Sequence, residues 1–382
     1  ALRADPALPT LAHKLLSFTD NRQDASLQAG HFNDFVEVGL LRAALYKAMQ
    51  AAGPEGLRHD VLVQRVFDAL ALPLDLYATD STVRFQALQE TQRALRAVLG
   101  YRLYYDLRRG WRVTSPNLEQ CGLLEMRYAS LEDLCASEGD WRTLHPALAT
   151  ASPAERARIS KILLDLLRRS LAIKVEYLNA ADQERIQQLS SQKLIEPWSM
   201  DENERMVSAG VAYPRPRQGG DERGNLYISA RSALGRAVRR NSTFPTYGAH
   251  LNTSDSDTII RQLFSVLRVA GLVEEVDEAR TPGDVPGYQL PAAAMIWCAG
   301  EGAQPTYDPL IVPRPPSVAA PSNRFFVSFY REAARALQGI AAREHTAQVP
   351  GDERQKREAL FREAKLPVLF CSPTMELGID IA

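Results

Sequence analysis

Apolar positions first cluster at residues 13–18, a brief run closed by Thr19-Asp20-Asn21. That pattern reads as a short buried strand running into a turn. Asp20, with Gln23 three places on, suits a helix start. Residues 22–50 predict one long helix, bent near Gly30 or Gly39 and broken by Ala51-Ala52-Gly53-Pro54. A helical stripe follows at 57–72, carried by Val61, Leu62, Val66, Phe67 and Leu70. Further helices are predicted at 82–99, 154–171 and 256–270, with helical character also at 178–189. Ser152-Pro153 gives the 154–171 helix a cap and a first-turn proline. Residues 101–114 predict a hairpin turning at Arg109-Gly110. Residues 211–224 read as loop. Gly271 ends its helix and is followed by a strand at 272–276, a Pro/Gly loop and a strand near 288–290. Helix, strand, loop and strand in that order suit a winged-helix unit, or an ordinary helix–hairpin packing module.

The proline-rich stretch 304–321 predicts a linker. Beyond it come a helix at 325–342, a strand at 343–347, a helix at 350–364 and an apolar strand at 366–371. This alternation predicts α/β structure with a parallel sheet. Residues 1–52 and 322–382 together make one small α/β domain, and 53–321 is too long to be a loop. The expected organisation is therefore an α/β domain split by a large, mostly helical insertion.

Composition narrows the class without naming an activity. The 382 residues are 45% hydrophobic and 24% charged, ordinary values for a chain with a packed core. The net charge of −1 offers no overall attraction to nucleic acid, so any such binding must come from local patches. Cys121, Cys135, Cys298 and Cys371 share no CxxC spacing, which argues against zinc and against a secreted disulfide framework. A reducing, cytoplasmic setting is expected. No apolar run reaches the roughly 18 residues of a membrane span, so no membrane partner is expected. The first residues lack a signal-peptide pattern and a start methionine, and the last are Gly378-Ile379-Asp380-Ile381-Ala382. Both ends are expected to be cuts through a longer protein.

The string Ser372-Pro373-Thr374-Met375-Glu376-Leu377-Gly378-Ile379-Asp380 resembles motif V of superfamily 2 helicases. Leu15-Leu16-Ser17-Phe18-Thr19-Asp20-Asn21-Arg22-Gln23-Asp24-Ala25 is similar to their motif IV strand and turn. Arg343-Glu344-His345-Thr346 resembles the strand end between those motifs. Arg354, Glu358 and Phe361 resemble the helix before motif V. The likeness is to large bacterial DEAD/DEAH-type helicases of repair and phage-defence systems, and it covers the two end segments only.

The resemblance implies a second RecA-like motor lobe in which Thr374, Arg22 and His345 face nucleic acid. It implies that Gly378 and Asp380 serve the ATP and interlobe side. ATP and Mg would be held through a first lobe that this chain lacks. The sequence has no G-x-x-x-x-G-K-[ST] loop, no Gly-Lys pair and no Asp-Glu-x-His or Asp-Glu-x-Asp string. Phosphoryl transfer needs a phosphate cradle, a metal site and charge stabilisation. The whole protein is thus expected to be an ATP hydrolase, while this chain alone binds no cofactor, has no catalytic residues and no metal ligands, and is inactive. Each role has a structural alternative: a tight turn at Thr374 and Gly378, a local cap at Asp380, a satisfied half-buried histidine at His345, a solvated helix start at Arg22.

Two basic stretches could follow a phosphate backbone. Residues 101–113 place Arg102, Arg108, Arg109 and Arg112 among Tyr101, Tyr104, Tyr105 and Trp111, against one acid, Asp106. Residues 230–241 place Arg231, Arg236, Arg239 and Arg240 with no acid. Solvated faces or internal salt bridges are the alternatives. The expected partners are DNA, the rest of a helicase chain and a protein at the insertion. The competing reading is a protein-interaction module on an inactive RecA-like base.

Overall fold

The computed structural model describes residues 9–108, 115–201, 204–279, 284–306, 308–312 and 321–372. Strand β1 (Leu15–Phe18) leads into a 31-residue helix, α1 (Arg22–Ala52). Asn21 caps that helix by accepting from the Asp24 N–H, so the cap falls one residue after the expected Asp20. The helix runs unbroken through Gly30 and Gly39, and Gly53, at φ +66°, ends it. A Cβ at Gly39 would lie 3.0 Å from the Phe329 ring, so the glycine serves a close approach.

Helices α2 (His59–Leu70) and α3 (Phe85–Asp106), strand β2 (Leu124–Tyr128) and three short helices, α4 (Leu131–Ala136), α5 (Glu138–Trp141) and α6 (Pro146–Ala149), follow. Next come α7 (Pro153–Arg169), β3 (Ile173–Lys174), α8 (Ala180–Lys193), β4 (Ala212–Tyr213), β5 (Leu226–Tyr227) and α9 (Ala233–Val238). Then α10 (Thr253–Val269) leads to β6 (Glu274–Asp277), β7 (Gly287–Pro291) and β8 (Met295–Ala299). Ser152 and Glu155 close a capping box on α7, as do Asn252 and Asp255 on α10. Helix α11 (Arg324–Ser328), strand β9 (Ala342–His345), helix α12 (Gly351–Arg362) and strand β10 (Val368–Cys371) follow among the described residues.

The two ends of the chain share one sheet. β10 lies between β1 and β9, and both pairings are parallel. Along β10 the side chains alternate. Val368 and Phe370 pack with Ala25 and Ala29 of α1 on one face, and Leu369 and Cys371 pack with Phe361 of α12 on the other. A parallel sheet needs cover on both faces, and these two helices supply it. β1 is an edge strand: Leu15 and Phe18 are 45% and 47% exposed, more open than a buried strand.

From Val36 onward α1 leaves that sheet and enters a second, much larger core with α2, α3, α7 and α10. Phe329, Tyr330 and Ala334 from the returning chain join it. This explains why 325–342 is not one helix. α11 is followed by a π turn at Phe329–Ala333 and a 3-10 turn at Ala334–Leu337. The widened turn turns Phe329 and Tyr330 inward, and Phe329 stacks on Phe35 at 5.0 Å. The fold is mixed α/β with small sheets.

The expected helix, strand, loop and strand at 253–291 is present, with β6 antiparallel to β7. One further pairing was not foreseen. Leu57, just before α2, bridges Trp297 on one side of β8, and β2 pairs antiparallel on the other. The expected hairpin at 101–114 is overturned at 101–106, which continue α3. Tyr101 and Tyr104 extend the buried stripe of Ala94, Leu95 and Val98, so the 3.6-residue period carries through the aromatic stretch.

Candidate functional site

Parallel strands all point one way, so their carboxyl ends form a common edge where α/β proteins bind ligands. Here Phe18, Cys371 and His345 stand in register at that edge. Thr19 follows β1: its N–H donates to the Cys371 carbonyl at 2.9 Å and its hydroxyl to the Asn21 carbonyl at 2.9 Å. The first turn of α1 starts immediately beyond, with Asp20, Asn21 and Arg22 exposed. A helix N-terminus presents free N–H groups and a positive dipole end. Thr346 and Ser372, which follow β9 and β10, are buried.

The sequence-predicted residues divide sharply in position. Arg22 is exposed at this edge. His345 is at the edge but fully buried, with Nε2 2.7 Å from Glu358 Oε1 of α12. Nε2 is the donor to a carboxylate, which leaves Nδ1 buried without a hydrogen-bond partner. In this arrangement His345 holds β9 against α12. Beside it, burial and then the Glu358 charge push the Cys371 thiol up to about 12, which favours the protonated thiol. Thr374, Gly378 and Asp380 lie outside the described residues.

The basic stretches are placed elsewhere. Arg108 is exposed one residue past the α3 cap, and Arg109 with Trp111 and Arg112 lies outside the described residues. Arg102 pairs with Glu37 at 2.7 Å, and Tyr101 and Tyr104 are core residues that offer no stacking surface. Arg239 donates to the Ala230 carbonyl at 2.7 Å and to Ser256 Oγ at 3.1 Å. Arg240 donates to the Pro309 carbonyl. Both guanidinium groups are half-buried, so they tie the 230–240 segment to its neighbours.

Two features escaped sequence reasoning. One is a set of fully buried arginines. Arg42 makes a two-pronged contact to Asp106, with Nε 2.9 Å from Oδ2 and Nη2 2.7 Å from Oδ1. Its Nη1 donates to the Ser115 and Pro116 carbonyls and to the Tyr330 hydroxyl. Burial works against the charge, but Asp106 and Tyr330 outweigh it and keep the Arg42 pKa raised. Arg168 and Arg169 converge on Glu119, and Arg169 also reaches Asp308. Burial pushes the Glu119 carboxyl up, yet the two arginines hold it at about 2. Arg42, the sole charge in the apolar run 38–46, was the available signal, since buried charges come paired.

The second feature is a pair of grooves along α1. A cavity of about 740 Å³ opens between its first half, β9, α12 and the 196–204 segment. Asp34, Glu204 and Glu344 are among its acids, which outnumber Arg102, Arg343 and Arg357. The second half of α1 borders a groove of opposite sign.

Neither family models, curated proteins nor solved structures give a match to this chain.

Proposed function

We propose that the chain contributes the second motor lobe of an ATP-dependent superfamily 2 helicase or translocase, with residues 1–52 and 322–382 as a split RecA-like lobe. Residues 53–321 are an inserted accessory region, containing winged-helix-like units, that contacts DNA or a partner. What supports the reading is one observation: β1 lies parallel to β10 and β10 to β9, across some 350 residues of chain. That pairing sets the end of the segment resembling motif IV, Thr19 to Arg22, and the end of the segment carrying His345 on either side of the end of β10, along one edge of the sheet. The exposed first turn of α1, with Arg22, supplies N–H groups and a cation for a phosphate. Thr374, two residues beyond Ser372 in sequence, would add a hydroxyl.

ATP chemistry in this reading needs a partner lobe. This chain's part would be Gly378 and Asp380 at the interlobe face, while the phosphate cradle and metal-binding acids come from elsewhere. Purified alone, the chain should bind a labelled single-stranded oligonucleotide in a salt-dependent manner and show no ATPase above background. Arg22→Glu should weaken the binding severalfold. ATPase activity of the isolated chain, or binding unaffected by salt and by Arg22→Glu, overturns the reading.

A further inference from the structure

Two adjoining cavities flank the second half of α1. One, of about 260 Å³, lies between α1 and the 330–338 segment and is lined by Lys47, Arg331 and Arg335 with no acid. The other, of about 590 Å³, lies between α1 and α2 and is lined by Lys47, Arg65 and a single acid, Asp68. Lys47 and Ala69 line both, so the two cavities adjoin at Lys47 as two parts of one basic groove, with Arg335 lining one part and Arg65 the other. Arg331 is engaged by the Tyr46 hydroxyl and the Glu301 carbonyl. Lys47, Arg65 and Arg335 are exposed and make no ion pair or side-chain hydrogen bond with any described residue. Asp68 accepts from Gln64.

The three cations line these cavities with one acid, Asp68, among the lining residues, so the groove is net positive. Small side chains, Ala43, Ala44 and Ala51 among them, keep the floor open. The other groove on α1, toward Glu204 and Glu344, is acidic and would repel a polyanion.

We infer that the groove formed by Lys47, Arg65 and Arg335 carries the phosphate backbone of a nucleic-acid strand. This rests on the motor-lobe reading for the class of polyanion, and it places a contact on α1 that the motif resemblance does not assign. Three uncommitted cations facing three phosphates contribute a log–log salt slope of about −2 for a single strand, at roughly −0.7 per phosphate. Base identity is not read, because the groove offers charge and few hydrogen-bonding groups.

The test uses the whole chain and a fluorescent mixed-sequence single-stranded oligonucleotide, with anisotropy followed across a salt series. The triple variant Lys47→Glu, Arg65→Glu, Arg335→Glu is compared with Arg223→Glu, an exposed arginine off the groove, and with Arg22→Glu at the strand ends. The inference expects the triple variant to lose at least tenfold in affinity and about 2 from the slope, with Arg223→Glu near wild type. All three side chains are solvent-facing without partners, so thermal unfolding should be unchanged, and a melting curve checks this. Wild-type slope and affinity in the folded triple variant overturn the groove while leaving the strand-end reading intact. Loss in the triple variant with none in Arg22→Glu retains the groove and removes the strand ends. No binding by the wild-type chain overturns both. A polyglutamate peptide that competes as well as an oligonucleotide of equal charge overturns the assignment to nucleic acid.

Discussion

Arg42→Met is the perturbation whose cost the structure specifies most closely. The substitution keeps the volume and helix propensity of the side chain and removes the guanidinium. Asp106, only 9% exposed, then loses its ion-pair partner, while the Ser115 and Pro116 carbonyls and the Tyr330 hydroxyl each lose a donor. Removing one partner of a buried pair costs about 3–5 kcal/mol, because the remaining charge stays out of water. Against a total stability of about 5–15 kcal/mol this is a large fraction. With an m-value near 3 kcal/mol/M in urea, the midpoint should fall by about 1–1.7 M. Tyrosine and tryptophan fluorescence in urea measures it. Adding Asp106→Leu should recover most of the loss, since a well-packed apolar pair can replace an ionic one. The reasoning is refuted if Arg42→Met costs under 1 kcal/mol, or if the double variant is no more stable than the single one.

Glu119 makes a pH prediction. Its folded pKa of about 2 lies below the ordinary 4.5, so its stabilisation is fully present above about pH 4.5 and is lost as pH falls toward 2. The loss is on the order of 3 kcal/mol, at 1.36 kcal/mol per pKa unit, and melting curves from pH 6 to 2.5 should show it and lose it in Glu119→Gln. Two glycine replacements should differ in sign. A Cβ on Gly100 would lie 2.4 Å from the Tyr177 ring, so Gly100→Ala should destabilise by about 1–3 kcal/mol. Gly30→Ala, on an open helix face, should stabilise by about 0.5–1 kcal/mol, and equal effects on the melting temperature would contradict the packing.

Local structure was legible where short-range chemistry decides it. The strands at 15–18 and 368–371, the Ser152 cap and the Gly271 stop all follow from residues within a few positions of one another. The hairpin at 101–114 was misread because Arg109-Gly110 signals a turn, whereas the burial of Tyr101 and Tyr104 by the large core is a tertiary effect. The break after Ser328 has the same origin, since Phe329 turns to meet Phe35 and the space left by Gly39. That the two ends share one domain was legible from the strand and helix alternation, but the register of β1 on β10 was not, because register between distant strands is set by the packing of both. At the candidate site, Arg22 was legible as a helix-start cation. The basic groove was not, because Lys47, Arg65 and Arg335 are far apart in sequence and each looks like an ordinary exposed residue.

The motor-lobe reading is tested most directly by hydrogen–deuterium exchange of the whole chain with and without a saturating single-stranded oligonucleotide at low salt. The account predicts slowed exchange in peptides covering Thr19 through the first turn of α1 and in those covering the end of β9. Bound oligonucleotide with unchanged exchange at both places would contradict it.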